Sequence, residues 1–414
     1  MLNFVNLSID CERFRYAQNV QSTIVIKEQG RVVELKPSCR SRFGGWVKQH
    51  RWVLLFIFFI LLSFIGGGVC FLLAKRFSLP FLNPLGPSTG EPLIVLSAPT
   101  VLDQLHPISG VFYTKAQKDT WGKRRPLAVM IDNHALARPY HFGLQKADLI
   151  WEAVAEGGIP RLLAVFHSQD IAKLGPVRSA RVYYIDWALE FPAYYSHVGG
   201  AGTPGSPANI FAYIRQKGVL DLDQFRLGTS TYWRGGDIII GGRTILSHIH
   251  YTSTKKLWQA GERLYPGTNK LPKFKAWKFK SDIPYSERSG KQKISFNFWY
   301  LPVYAVEWRY ERTTNTYLRF QGGKKHLDQT TKQQLTAKNV VLLYTPQYRA
   351  GDGTAHLLFK TTGSGDAEVF RDGKKIKATW KRNTLSDRTI FYEQGTKKEI
   401  VFNRGLTWIE VLPK

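Results

Sequence analysis

The longest apolar stretch, WVLLFIFFILLSFIGGGVCFLLA at residues 52–74, carries no charge and no polar face. As a helix it would be roughly 34 Å long at about 1.5 Å per residue, enough to cross the hydrocarbon of a bilayer. A buried soluble helix would show one polar face, and this run shows none. Arg40, Arg42, Lys48 and Arg51 precede it, and only Lys75 and Arg76 follow closely. The excess of cations on the N-terminal side predicts a single-pass plasma-membrane anchor with a cytoplasmic N-terminus and an extracytoplasmic remainder. A cleaved signal peptide would have a shorter apolar core ending in small residues. Lipidation at Cys70 would want its bulky residue three places upstream, whereas Val69 sits directly beside it.

The pattern changes beyond the anchor. Residues 1–51 form a cytoplasmic tail, with an alternating stretch at 22–35 that predicts a small hairpin. Residues 75–123 begin rich in Pro, Gly and Ser and predict a linker. RPLAVMIDN (125–133) has the unbroken apolar run of a buried strand, and 147–168 predicts two strands joined at a Gly-Gly turn. Residues 179–191, 206–217 and 253–264 predict helices, the last capped by Thr252 or Ser253, and 193–200 a further strand. From 281 onward short alternating strands dominate, among them VEWRYE, TYLRFQG, NVVLLYT and GLTWIEVL, with turn signals at Asp372-Gly373 and Gln394-Gly395. The predicted class is α+β: a single N-terminal transmembrane helix, a mixed α/β domain at 124–280 and a smaller, mostly antiparallel β domain at 281–414.

Charge adds a second constraint. Lys and Arg number 58 against 31 Asp and Glu, a net +27 over 414 residues, which points to an anionic partner. An extracytoplasmic location argues against nucleic acid. Cys11, Cys39 and Cys70 all precede residue 75, so the outer part holds no disulfide and depends on its core.

Candidate chemistry is densest between 132 and 197. Asp132 and Asn133 end a buried strand, with Arg138 shortly after. Glu152 and Glu156 lie four apart, with Arg161 across the turn. GPVRSAR supplies Arg178, Ser179 and Arg181, followed by Asp186 and Glu190. On a strand Glu152 and Glu156 would lie about 13 Å apart at their Cα atoms. That is too far for a glycosidase pair made by these two alone, so Asp132 or Asp186 would have to complete it. The plainer reading is that the glutamates pair with Arg161, Arg178 or Arg181. The GPVRSAR turn, with its guanidinium forks, could hold a carboxylate or phosphate, or could lock the turn to those same glutamates. His248 and His250 share a face, but no third ligand is evident, so no metal is expected. Ser179 and Ser196-His197 match no nucleophile motif, and no phosphate loop or dinucleotide fingerprint occurs, so no cofactor is expected.

The run RPLAVMIDNHALARPYHFGLQKADLIWEAVAEGGIPRLLAVFHS, followed by GPVRSAR, HVGG, SHIHYTS and RDGKKIKATWKR, resembles the YerB-like bacterial lipoproteins. The resemblance spans nearly all of the outer part. It implies a surface-anchored envelope protein with two domains of uncharacterised function, and it brings no reaction with it. The transmembrane helix and poor lipobox depart from the lipoprotein members.

The expected function is therefore binding of an anionic wall polymer such as peptidoglycan, or scaffolding of wall-synthesis proteins. The alternative is acid/base glycan cleavage, with Glu156 or Glu152 as proton donor and Asp132 or Asp186 as partner. Asn133, Arg138, Arg161, Arg178, Ser179, Arg181, His197 and His248 are the candidate ligand contacts.

Overall fold

Apolar runs too continuous for a one-sided strand become the centre of a ten-stranded sheet. The structure, a computed structural model, describes residues 25–28, 31–34, 101–236 and 238–414. The expected anchor at 52–74 and Cys70 lie outside the described residues. Among the described residues no helix is long and apolar enough to cross a membrane. Val25–Glu28 pairs antiparallel with Arg31–Glu34, the hairpin expected at 22–35. The unit Ser97–Lys414 carries the rest of the described fold.

Its sheet strands are β1 (Leu127–Asp132), β2 (Leu149–Val154), β3 (Pro160–Phe166), β4 (Tyr194–His197) and β5 (Leu220–Asp223). A second set is β6 (Lys293–Phe296), β7 (Val306–Glu311) and β8 (Thr316–Gln321). The remainder are β9 (Asn339–Thr345), β10 (Gly363–Arg371), β11 (Lys374–Arg382), β12 (Ile390–Glu393) and β13 (Thr407–Pro413). The large sheet runs β12-β11-β10-β9-β13-β2-β3-β1-β4-β5. β13 lies parallel to both β9 and β2, so the C-terminal strand joins the two halves of the sequence into one sheet. Every residue of β1 and β2 is buried, as strands covered on both faces must be. The second set, β6-β7-β8, forms a smaller sheet. Its Trp308 and Arg319 reach side chains of the large sheet. At Asp372-Gly373 both residues have positive φ, the backbone of a tight type I′ hairpin between β10 and β11.

Four helices matter here: α1 (Lys115–Trp121), α2 (Val182–Ala188), α3 (Ile210–Lys217) and α4 (Thr254–Leu264). Ser253 caps α4 by accepting from the Lys256 amide. α2 is shorter than the helix expected at 179–191. The Arg178 amide donates to Met130 and the Ala180 amide to Gly199, so these residues are extended and held by their neighbours. Part of the stretch expected as linker to residue 123 is regular structure, beginning at Gln104. From there Gln104–Leu105 pairs with Phe112–Tyr113, and Thr114 opens α1 with a capping box. His106, bonded to His167 at 2.9 Å and edge-on to Trp121, fixes this segment to the core. Its polar composition concealed two buried anchors.

Candidate anion-binding site

The alternation of side chains along the strands decides which predicted residues can meet. Asp132 pairs with Arg161, and Glu152 pairs with Leu162. Arg161 and Leu162 are neighbours on β3, so Asp132 and Glu152 point to opposite faces of the sheet. They cannot act as one carboxyl pair. Glu156 lies beyond the end of β2, in the turn Glu156–Gly158.

Glu152 and its strand neighbour form a buried layer. Glu410 on β13 is the register partner of Glu152, and both are fully buried. Two carboxylates side by side in a dry sheet repel, so a cation must lie between them. Arg319 of β8 fills that role, donating to Glu152 at 2.6 Å and to Glu410 at 2.7 Å. Its guanidinium lies 4.3 Å from the Trp408 ring centre, and the indoles of Trp408 and Trp308 donate to Glu152 and Glu410. Burial first, and then the Glu152 charge, pushes the Glu410 carboxyl well above the usual range. The Arg319 Nε donates to His326 Nδ1 at 3.0 Å, which makes His326 Nε2 the protonated nitrogen. That nitrogen donates to His141 Nδ1, and His141 Nε2 donates to the Asp132 carbonyl. Burial lowers both histidine pKa values, that of His141 to about 4, in keeping with neutral rings.

On the other face, Asp132 gathers three of the motifs noted in the sequence. It accepts from the His134 amide at 2.9 Å and from His248 Nδ1 at 2.5 Å, and forms an ion pair with Arg178 Nε at 3.2 Å. Burial alone would raise this carboxyl, but the His248 hydrogen bond and Arg178 hold it below the usual range. The His134 ring stacks on His248 at 4.7 Å and meets Tyr304 edge-on. His250 turns instead to Arg234, so the two histidines of SHIHYTS have different partners. Among the described residues no cluster of three metal-ligating side chains occurs.

The remaining predicted residues are dispersed. Glu156 is gripped side-on by Nε and Nη2 of Arg181 and lies 3.5 Å from Arg161. Burial would raise its carboxyl, and these arginines hold it below the ordinary range. Arg161 also donates to the Ser179 carbonyl. Asp186, on α2, accepts from Tyr213 and Thr361, and burial raises its carboxyl. His197 is buried against Asp221 at 2.6 Å; burial would lower its pKa, but Asp221 raises it.

Arg138 alone among these leads to an opening. Its Nε donates to Asn133, whose amide donates to Glu152, and its Nη1 donates to the Val303 carbonyl. Nη2 is buried with no hydrogen-bond partner among the described residues. Burial and the nearby Arg319 lower its pKa to about 10, so it remains charged at neutral pH. It lines a cleft of about 410 Å³ together with Gln321, Lys324 and Lys325. Neither lysine has a carboxylate partner among the described residues. Gly322 turns at φ +59, and a side chain there would strike the Val303 carbonyl and crowd Arg138. Sequence reasoning named Arg138 but missed Arg319, Glu410, Lys324 and Lys325. The available signal was a lone glutamate in each of two apolar strands, LIWEAV and TWIEVL, which demands a buried cation elsewhere.

The shared sheet, the clamped carboxylates and the cationic cleft define a two-part α/β protein with a buried polar seam and an open, positively charged cleft. The chain belongs to the family described as protein of unknown function DUF3048: its N-terminal domain matches residues 113–266 and its C-terminal domain residues 294–409. YerB of Bacillus subtilis (strain 168), whose name describes a candidate lipoprotein, is 29% identical over 297 residues, covering 70% of this chain and 82% of the relative. The crystal structure of the B. subtilis YerB protein superposes with a TM-score of 0.63 at 26% identity, covering 75% of this chain and 96% of that one.

Proposed function

We propose that this is a membrane-attached extracytoplasmic protein that binds an anionic cell-wall polymer and does not cleave it. The observation that carries the reading is the cleft at Arg138, where Lys324 and Lys325, with no carboxylate partner among the described residues, gather beside a guanidinium that keeps one nitrogen without a hydrogen bond there. A buried guanidinium nitrogen left without a partner costs about 1–3 kcal/mol, and an anion in the cleft would offset its charge. The acid–base alternative needs two carboxyls on one opening. Here Glu152 is clamped by Arg319, Glu156 by Arg181, and Asp132 by His248 and Arg178. The apolar run at 52–74 and the name of the YerB relative support attachment at the membrane.

Co-sedimentation of the protein with purified wall sacculi, across a salt series, tests this. The expected outcome is binding that weakens steeply with salt, without release of muropeptides. Muropeptide release that stops in Glu156→Gln would instead establish the cleaving enzyme.

A further inference from the structure

A second cleft, of about 400 Å³, has a different character. Gly158, Trp299, Tyr300, Gln347, Tyr348 and Arg349 line it. Three of these are large aromatic side chains left in water: Trp299 is 40% exposed, Tyr300 76% and Tyr348 52%. Exposed aromatics grouped at one opening mark a binding surface. The Trp299 ring lies against Gly158, where any side chain would strike it. Gly158 has φ +74, so the turn after β2 both demands glycine and seats the indole. The amide oxygen of Gln347, which lines the cleft, is buried without a hydrogen-bond partner among the described residues. Flat apolar faces beside an unsatisfied acceptor suit a ligand with an apolar face and a rim of hydroxyl donors. A pyranose ring has that construction. Arg349 supplies a cation for an acidic substituent on the ring. The cleft adjoins the cationic one: Trp299 and Tyr300 line the first and Val303 the second, all on one short segment.

We infer that Trp299, Tyr300, Tyr348 and Gln347 form a sugar-binding subsite that holds the glycan backbone of the wall polymer by stacking. This rests on the wall-polymer reading and adds the part of the polymer recognised. Charge is read at Arg138, Lys324 and Lys325, and the neutral ring at Trp299.

Calorimetric titration of the full chain with a neutral tetramer of β-1,4-linked N-acetylglucosamine tests the subsite. The expected result is saturable binding that changes little with salt. Trp299→Ala and Tyr348→Ala should each weaken it about tenfold or more, which is about 1.4 kcal/mol. Trp299→Phe, which keeps a stacking face, should retain most of it. Lys324→Ala with Lys325→Ala should leave it unchanged. Absence of binding, or binding undiminished in both aromatic variants, overturns the subsite. Sacculus binding measured alongside separates the two ideas. A tetramer that does not bind while sacculi still bind through Lys324 and Lys325 overturns the subsite alone. Sacculi that do not bind overturn the wall-polymer reading and the subsite with it.

Discussion

The two cationic regions that flank Asn133 use the same kind of residue to opposite ends. At the seam, Arg319 spends its donors on Glu152, Glu410 and His326, beneath two tryptophans and away from solvent. At the cleft, Arg138 keeps one nitrogen without a hydrogen bond among the described residues, in an opening it shares with Lys324 and Lys325. A guanidinium satisfied on every side holds a fold together. One left partly unsatisfied at an opening is available to a ligand. The lesson is that a charged residue's role is set by the inventory of partners around it, and burial alone does not distinguish the two.

The contrast breaks most sharply at Arg319. Arg319→Ala would strand Glu152 beside Glu410 in a dry layer, and the expected loss is about 3–5 kcal/mol in urea denaturation. A loss below about 1 kcal/mol would mean that water reaches the seam and that the two regions do not differ. Glu156→Gln removes one charge from the grip of Arg181 and should cost about 1–3 kcal/mol, with wall binding unchanged. A large drop in binding without loss of stability would return Glu156 to the functional site.

Asp132 sharpens the comparison through pH. Its folded pKa lies below the unfolded one, so the unfolded chain binds more protons across the acid range. The stability it contributes is present above the ordinary carboxylate pKa and is lost as pH falls through the lowered value. Asp132→Asn should therefore flatten the acid limb of a stability–pH curve, and an unchanged limb would remove the His248 and Arg178 pairing from the account. The smallest effect is expected at Glu410. Its raised pKa means that its contribution is fully present below the unfolded carboxylate pKa and is lost as pH rises from there through the folded value. Glu410→Gln keeps an oxygen to accept from Arg319 and Trp308, so the change should stay below about 1 kcal/mol. A larger loss would show an ionised pair of carboxylates at the seam.

Local pattern revealed much of the fold and little of the site. The strands β1, β2, β3, β7 and β9 follow from apolar runs and alternation, because burial on one or two faces imposes those periods. The helices were overextended at 179–191, where extended pairing of Arg178 and Ala180 overrides local preference. The return of β13 between β9 and β2 joins residues more than 250 positions apart, as in the bond from Trp408 to Glu152. No local period encodes such a pairing. The site suffered for the same reason. Arg138 lies within a visible motif, but Arg319, Lys324 and Lys325 come from a part of the chain read only as alternating strands. Strand parity, available once β1 and β3 are paired, separates Asp132 from Glu152.

The most direct measurement is sacculus binding by the wild-type chain and by the Lys324→Ala, Lys325→Ala double variant across a salt series. Both lysines are exposed, so stability should change by no more than about 0.5 kcal/mol. The account predicts salt-sensitive binding by the wild type and markedly weaker, less salt-dependent binding by the variant. Equal binding by both, or binding indifferent to salt, would contradict an anionic ligand at this cleft.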